Sequence, residues 1–79
     1  MTTVAEIYFS SDVWDADEAE QLVETMALSV DGTVDSFVSS YDEFTAEIFT
    51  DEETEYVASE LTDFIEGLGG LRIYVYAEN

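Results

Sequence analysis

Hydrophobic and polar positions alternate in four segments of the chain and recur at helical spacing in two others. The alternating segments are rich in residues that favour strands: residues 3–9, 33–40, 43–49 and 71–77. Between Asp15 and Val30, and again after Thr50, apolar residues fall three and four positions apart. This spacing predicts two amphipathic helices. The predicted order is therefore strand, helix, strand, strand, helix, strand.

The predicted helices begin and end at recognisable signals. Asp15 followed by Glu18 predicts a capping box at the start of the first helix. Gly32 is expected to end that helix with a positive φ. Thr50, with an acid three residues on, is predicted to be the N-cap of the second helix. The glycines of "GLGG" at 67–70 are expected to end it.

This order predicts an α+β fold of the ferredoxin-like βαββαβ type, with a four-stranded antiparallel sheet and both helices on one face. A hairpin through "SYDE" at residues 40–43 is expected to join the second and third strands. We predict a single domain over residues 1–79, because a chain of this length is near the lower limit for one independent core.

The alternation also assigns the strand residues to two faces. The face toward the helices is expected to be aliphatic: Ala5, Ile7, Phe9, Val34, Val38, Phe44, Ala46, Ile48, Leu71, Ile73 and Val75. The opposite face is expected to mix aromatic residues with charged ones: Glu6, Tyr8, Asp35, Phe37, Tyr41, Glu47, Phe49, Arg72, Tyr74 and Tyr76. No helix remains to cover this second face. A patch with so many rings is larger than a monomer usually exposes, which indicates a contact surface.

The charge of the chain is far from balanced. It has 20 Asp and Glu residues against one basic residue, Arg72, and a formal net charge of -19. Two acidic stretches stand out, "DVWDADEAE" at residues 12–20 and "DEETE" at residues 51–55. A hydrophobic fraction of 47% is too high for a disordered acidic tail. A folded domain is therefore expected to carry the charge.

The residue inventory argues against an enzyme. The chain has no His, Cys or Lys to serve as general base or nucleophile. Paired carboxylates can hydrolyse glycosides, but a domain of this size offers little cleft. Asp12, Asp15 and Asp17 lack the spacing of an EF-hand loop, and their stretch lacks its glycine. We expect no catalytic residue, no metal site and no cofactor.

Charge also argues against nucleic acid and membrane as direct partners. An exposed aromatic sheet face is the surface on which RNA-recognition motifs stack bases, but affinity for nucleic acid requires Lys and Arg. No run approaches the ~20 apolar residues of a membrane span, and acidic lipid repels an anionic surface. The N-terminus lacks the basic start of a secretory signal. We expect a cytoplasmic protein.

The net charge per length of the chain is close to that of duplex DNA. A folded chain of this length has a radius of gyration of roughly 12 Å, hence a diameter of about 30 Å. Duplex DNA carries about 18 charges over the same length. Asp17, Glu20 and Glu24 lie off the apolar stripe of the first helix, so they are expected to face outward.

A small, Lys-poor, acidic domain with a complete apolar core resembles the phage-encoded DNA-mimic inhibitors, which include anti-CRISPR and anti-restriction proteins. The similarity lies in size, charge and α+β composition across the whole chain, and not in a motif. It implies an inhibitor in the host-cell cytoplasm that occupies the basic nucleic-acid channel of a defence complex. The favoured target would be a CRISPR surveillance complex, and the second choice would be a restriction enzyme. Its Arg and Lys would pair with carboxylates, and Arg could stack on Tyr.

The partner is expected to contact the acid-rich helix starts and two tyrosines of the last strand. These residues are Asp12, Asp15, Asp17, Glu18, Glu20, Glu24, Asp51, Glu52, Glu53, Glu55, Tyr74 and Tyr76.

Two other interpretations remain open. The chain could be a small halophilic protein-interaction domain whose acidity is salt adaptation; Arg72 would then simply pair with Glu6 on a neighbouring strand. This leaves the aromatic face unexplained. Alternatively, the aromatic face could form a homodimer, or its tyrosines could only shield backbone hydrogen bonds.

Overall fold

The fold is taken from a computed structural model that describes residues 2–78, and the order of its elements is the predicted one. The elements are β1 (Thr2–Ser10), α1 (Ala16–Ser29), β2 (Thr33–Ser39), β3 (Glu43–Thr50), α2 (Thr54–Phe64) and β4 (Leu71–Glu78). The strands form one antiparallel sheet in the order β2-β3-β1-β4. The prediction of a ferredoxin-like α+β fold is confirmed.

The core lies between one face of the sheet and the two helices. α1 packs over β2 and β3, and α2 packs over β1 and β4. The buried core is formed by residues of the central strands and of both helices: Ala5, Ile7, Phe9, Ala19, Val23, Met26, Ala27, Val30, Phe44, Ala46, Ile48, Val57 and Leu61. Each large aliphatic side chain buried here contributes roughly 1.5–3 kcal/mol, which offsets the ordering of a short chain.

One predicted helix start is confirmed and the other is wrong. The backbone N–H of Glu18 donates to Asp15 Oδ1 at 2.8 Å and that of Asp15 donates to Glu18 Oε1 at 3.4 Å, which is the predicted capping box. α2 begins after Glu53, whose side chain makes no capping hydrogen bond. Thr50 instead ends β3, where it is buried and donates through Oγ1 to the carbonyl oxygen of Val30 at 2.8 Å.

The turn after α1 needs Gly32 for a reason other than the predicted one. The residue with positive φ is Asp31, at 52°, and not Gly32. A Cβ at Gly32 would lie 2.9 Å from the carbonyl oxygen of Phe49 and 3.0 Å from Cγ2 of Ile48. Only a glycine therefore allows this turn to pack directly on β3.

Gly32→Ala is expected to lower the free energy of unfolding by about 1–3 kcal/mol, because the β3 backbone must move to admit the methyl group. Gly69→Ala is the matched control, since a Cβ at that position meets nothing within 4 Å. We expect it to change stability by less than about 0.5 kcal/mol. Urea denaturation followed by circular dichroism compares the two, and equal losses would contradict the close approach.

An irregularity in β2 reverses the predicted faces at its end. The register with β3 shifts between Val34 and Ser36, so one extra residue, Asp35, interrupts the alternation. Phe37 consequently packs against the core, whereas Val38 faces away from it with 56% of its surface exposed. The predicted assignments of Phe37 and Val38 are therefore wrong, and each side chain lies on the other face.

Candidate anionic interface

The acidic side chains are at the surface throughout the protein. Of the 20 carboxylates, all of which lie in the described residues, none is buried. Four are half-buried and the others are exposed; the half-buried ones are Glu6, Glu43, Glu47 and Glu60. One ion pair is present among residues 2–78, and it joins Arg72 Nη2 to Glu43 Oε2 at 3.1 Å. Nearly the whole net charge is therefore open to a partner.

The two predicted acidic segments lie at opposite ends of the sheet. β1 ends at Ser10 and leads into α1, whereas α2 follows the end of β3, where Thr50 pairs with Thr3 at the start of β1. We call these the α1 end (residues 11–18, 40–43 and 66–70) and the α2 end (residues 31–33 and 50–55). The structure thus brings the predicted residues together within each end, but it does not merge them into one patch. The longest extent of the molecule is 34 Å.

Contacts of the Trp14 side chain hold the α1 end in place. The indole Nε1 donates to the carbonyl oxygen of Gly69 at 2.9 Å, and the ring packs edge-on against Phe9 at 5.3 Å between centroids. Trp14 thereby holds the exposed segment that carries Asp12 and Asp15. A shallow depression of about 470 Å³ at this end is lined by Asp12, by two acids that the predicted site omitted, Asp42 and Glu43, and by Arg72.

Threonines hold the turn at the α2 end. Thr3 Oγ1 donates to the carbonyl oxygen of Glu52 at 2.7 Å, and the backbone N–H of Glu52 donates to Thr50 Oγ1 at 3.2 Å. Asp31, from the turn after α1, lines the same depression as Asp51. Asp31 was also missing from the predicted site, although the strand order places its turn beside the end of β3. This end therefore carries five acids: Asp31, Asp51, Glu52, Glu53 and Glu55.

A row of acids along α1 runs from one end toward the other. Asp17, Glu20 and Glu24 are exposed and spaced by three and four residues, so they share one side of the helix. At about 1.5 Å of rise per residue, the row is roughly 10 Å long. We call these three residues the α1 row. No cation lies between them in the sequence, so their charges repel one another.

The sheet face away from the helices, which we call the open face, is aromatic and acidic. It includes Val4, Glu6, Tyr8, Ser36, Val38, Glu43, Thr45, Glu47, Phe49, Arg72, Tyr74 and Tyr76. Val4 is fully buried although no helix covers it, because it lies between its strand partners Phe49 and Tyr76. Tyr41, predicted on this face, lies instead in the turn after β2 and is fully exposed.

Hydrogen bonds and an ion pair organise the open face. Both oxygens of Glu6 accept from tyrosines, Oε1 from Tyr8 at 3.0 Å and Oε2 from Tyr76 at 2.8 Å. The pair expected between Glu6 and Arg72 does not form. Arg72 instead reaches across the Tyr8 ring, 4.7 Å from its centroid, to Glu43.

Titration of Tyr76 offers a test of this network. The hydrogen bond to Glu6 raises the pKa of Tyr76 from 10.0 to about 12, because the phenolate cannot donate it and would face a carboxylate. The folded state thus favours the neutral phenol. Its contribution to stability is complete below pH 10.0 and is lost as the pH rises toward about 12. Glu6→Gln is expected to move the tyrosinate absorbance transition of Tyr76 down toward pH 10. The Tyr76 signal is isolated by subtracting the titration curve of the same protein with Tyr76→Phe. An unchanged transition would contradict the bond.

No protein-family model matches the chain, and no curated protein matches it. Across residues 2–78, no helix has the length and apolar character needed to cross a membrane.

Proposed function

We propose that this protein is an inhibitor that mimics nucleic acid and blocks the DNA-binding channel of a host defence complex. A CRISPR surveillance complex is the favoured target, and a restriction enzyme is the second choice. One observation carries the proposal: a folded domain 34 Å long has a net charge of -19, with none of its carboxylates buried. Duplex DNA of that length carries about 20 phosphate charges. A target of this kind places the protein in the host-cell cytoplasm.

The distribution of the acids supports an extended cationic groove as the target, and not a small basic pocket. Acids cluster at the α1 end and at the α2 end, and the α1 row lies between them. A channel that binds duplex DNA presents Lys and Arg along a comparable length. Such a surface would steer association electrostatically, so binding should be fast and should weaken steeply with salt.

The proposal is tested by displacement of DNA from purified surveillance complexes and restriction enzymes. Fluorescence anisotropy of labelled duplex, bound to each complex, is followed as the protein is added at low and at high ionic strength. We expect release of DNA from at least one complex at low salt and less release at high salt. Polyglutamate of equal total charge controls for unstructured polyanions and should release less. Retention of DNA by every complex at low salt would contradict the proposal.

Salt adaptation is the second candidate, because the described residues contain one ion pair to offset 20 acids. The two functions predict different folding behaviour. A mimic remains folded at about 0.15 M salt, whereas a halophilic domain unfolds there and refolds in molar salt, where its charges are screened. Circular dichroism over this salt range separates them and also verifies the fold for the displacement test.

A further inference from the structure

We propose that the open face binds an arginine side chain of the basic partner, with Tyr74 and Tyr76 as stacking surfaces and Glu6 and Glu47 as the carboxylates that face the guanidinium. The proposal deepens the proposed function, on which it rests for the basic character of the partner. It assigns the open face a ligand chemistry and separates its role from that of the acidic ends.

The protein already holds one guanidinium in this way. Arg72 lies 4.7 Å from the centroid of the Tyr8 ring, and its Nη2 is 3.1 Å from Glu43 Oε2. The arrangement combines a cation–π contact with a charge-assisted hydrogen bond. It shows that a ring and a carboxylate on this face can be spaced to suit a guanidinium.

The neighbouring part of the open face has the same chemistry, and among residues 2–78 neither of its carboxylates, Glu6 and Glu47, is in an ion pair. Tyr74, Glu6 and Glu47 are successive partners across β4, β1 and β3, and Tyr76 follows Tyr74 on the same side of β4. Tyr74 is 52% exposed and Tyr76 is 38% exposed. Arg72 is the single Lys or Arg of the chain, and it is already paired with Glu43.

The rings are held in place before any partner arrives. Tyr76 donates to Glu6 at 2.8 Å, and Tyr74 packs edge-on against Tyr8 at 5.7 Å between centroids. Since these contacts already restrict the side chains, little further ordering is needed on binding. Both residues nevertheless remain exposed.

Charge decides which occupant fits the open face. A second copy would bring its own net charge of -19 against this one, with a single Arg to offer. An arginine-bearing protein surface brings the opposite charge. Arg is favoured over Lys because its planar guanidinium stacks on a ring while it pairs with carboxylates.

The test measures binding of nona-arginine and nona-lysine peptides by titration calorimetry at low ionic strength. The wild-type protein is expected to bind the arginine peptide several-fold more tightly. Tyr74→Leu/Tyr76→Leu is expected to weaken arginine-peptide binding about tenfold, at about threefold per ring. Its affinity for the lysine peptide should not change. Tyr56→Leu is the matched control, because Tyr56 is an exposed tyrosine of α2 outside the open face and both acidic ends, and it should bind like wild type.

Three further variants separate loss of the rings from misfolding and from loss of charge. Tyr74→Phe/Tyr76→Phe keeps both rings and is expected to retain the arginine preference. Glu47→Gln is expected to weaken binding of the arginine peptide about threefold, since it removes one charge-assisted contact. Glu60→Gln, from the half-buried side of α2 outside the predicted contacts, serves as the equal-charge control and should keep the arginine preference.

Three results would overturn the inference: no arginine preference in the wild-type protein, an unchanged preference in the folded leucine variant, or a dimer in sedimentation that this variant dissociates. The last would assign the open face to a second copy. DNA displacement without arginine preference would defeat this inference alone. Arginine preference without DNA displacement would defeat the proposed function alone.

Discussion

Neutralising the α1 row is expected to weaken binding to the target about 100-fold and to leave the protein folded. The variant is Asp17→Asn/Glu20→Gln/Glu24→Gln. Each carboxylate that loses a charge-assisted contact with Arg or Lys is expected to cost about 1 kcal/mol of binding free energy. Three such losses correspond to about 100-fold in Kd.

Stability should respond little to the same change, because two effects oppose each other. Removing the repulsion between Glu20 and Glu24 favours the helix by about 0.2–0.5 kcal/mol. Removing Asp17 from the first turn of α1 costs a similar amount through the helix dipole. A net change in the free energy of unfolding below about 1 kcal/mol is expected, so weaker binding would not reflect unfolding.

A matched variant separates contact from overall charge. Asp35→Asn/Asp63→Asn/Glu78→Gln removes the same charge from exposed positions outside the α1 row and both acidic ends. Surface plasmon resonance is expected to show slower association for both variants, but faster dissociation only for the α1-row variant. Equal dissociation rates for the two would contradict a contact role for the α1 row.

Phe9→Ala is expected to cause the largest loss of stability, about 3–5 kcal/mol. Phe9 is fully buried and joins the sheet to Trp14 at the α1 end. A chain of 79 residues has a total stability of roughly 4–12 kcal/mol, so this truncation should leave much of the protein unfolded in ordinary buffer.

Salt provides a check on that variant. Because added salt screens the repulsion among the carboxylates, molar salt is expected to restore part of the fold of Phe9→Ala. Circular dichroism and urea denaturation at both salt concentrations measure this. Tyr41→Ala is the control and should stay within about 0.5 kcal/mol of wild type, since its ring is fully exposed. A wild-type melting curve for Phe9→Ala would contradict the assigned core.

The parts of the fold that follow from local pattern could be predicted from the sequence. Strand alternation and the helix stripes each depend on which residues can be buried, and burial is the dominant favourable term in folding. The capping box at Asp15 and Glu18 is equally local, because its two hydrogen bonds join residues three apart. These features required no knowledge of how the elements pack.

The errors arose where one element constrains another. The bulge at Asp35 exchanges the faces of Phe37 and Val38, and no local signal in β2 marks it. Gly32 is required by its distance to β3 and not by its own φ. Both depend on contacts between segments distant in sequence, which alternation and capping rules do not describe.

The candidate site also combines features that follow from local pattern with features that depend on packing between elements. Outward placement of the acids follows from the helix stripes, and the structure agrees with it. The separation of the two acidic segments follows from the antiparallel pairing of β1 and β3, which is a contact between distant segments. The partners of Glu6 and of Arg72 are likewise a matter of side-chain geometry across strands, which alternation does not describe.

Competition at equilibrium between this protein and duplex DNA for one purified target tests nucleic-acid mimicry most directly. The apparent Kd of the protein is measured at increasing concentrations of DNA and at fixed salt. If the protein occupies the DNA channel, its apparent Kd rises in proportion to the DNA concentration and no ternary complex forms. A Kd that does not depend on DNA, or a complex that contains both ligands, would contradict mimicry.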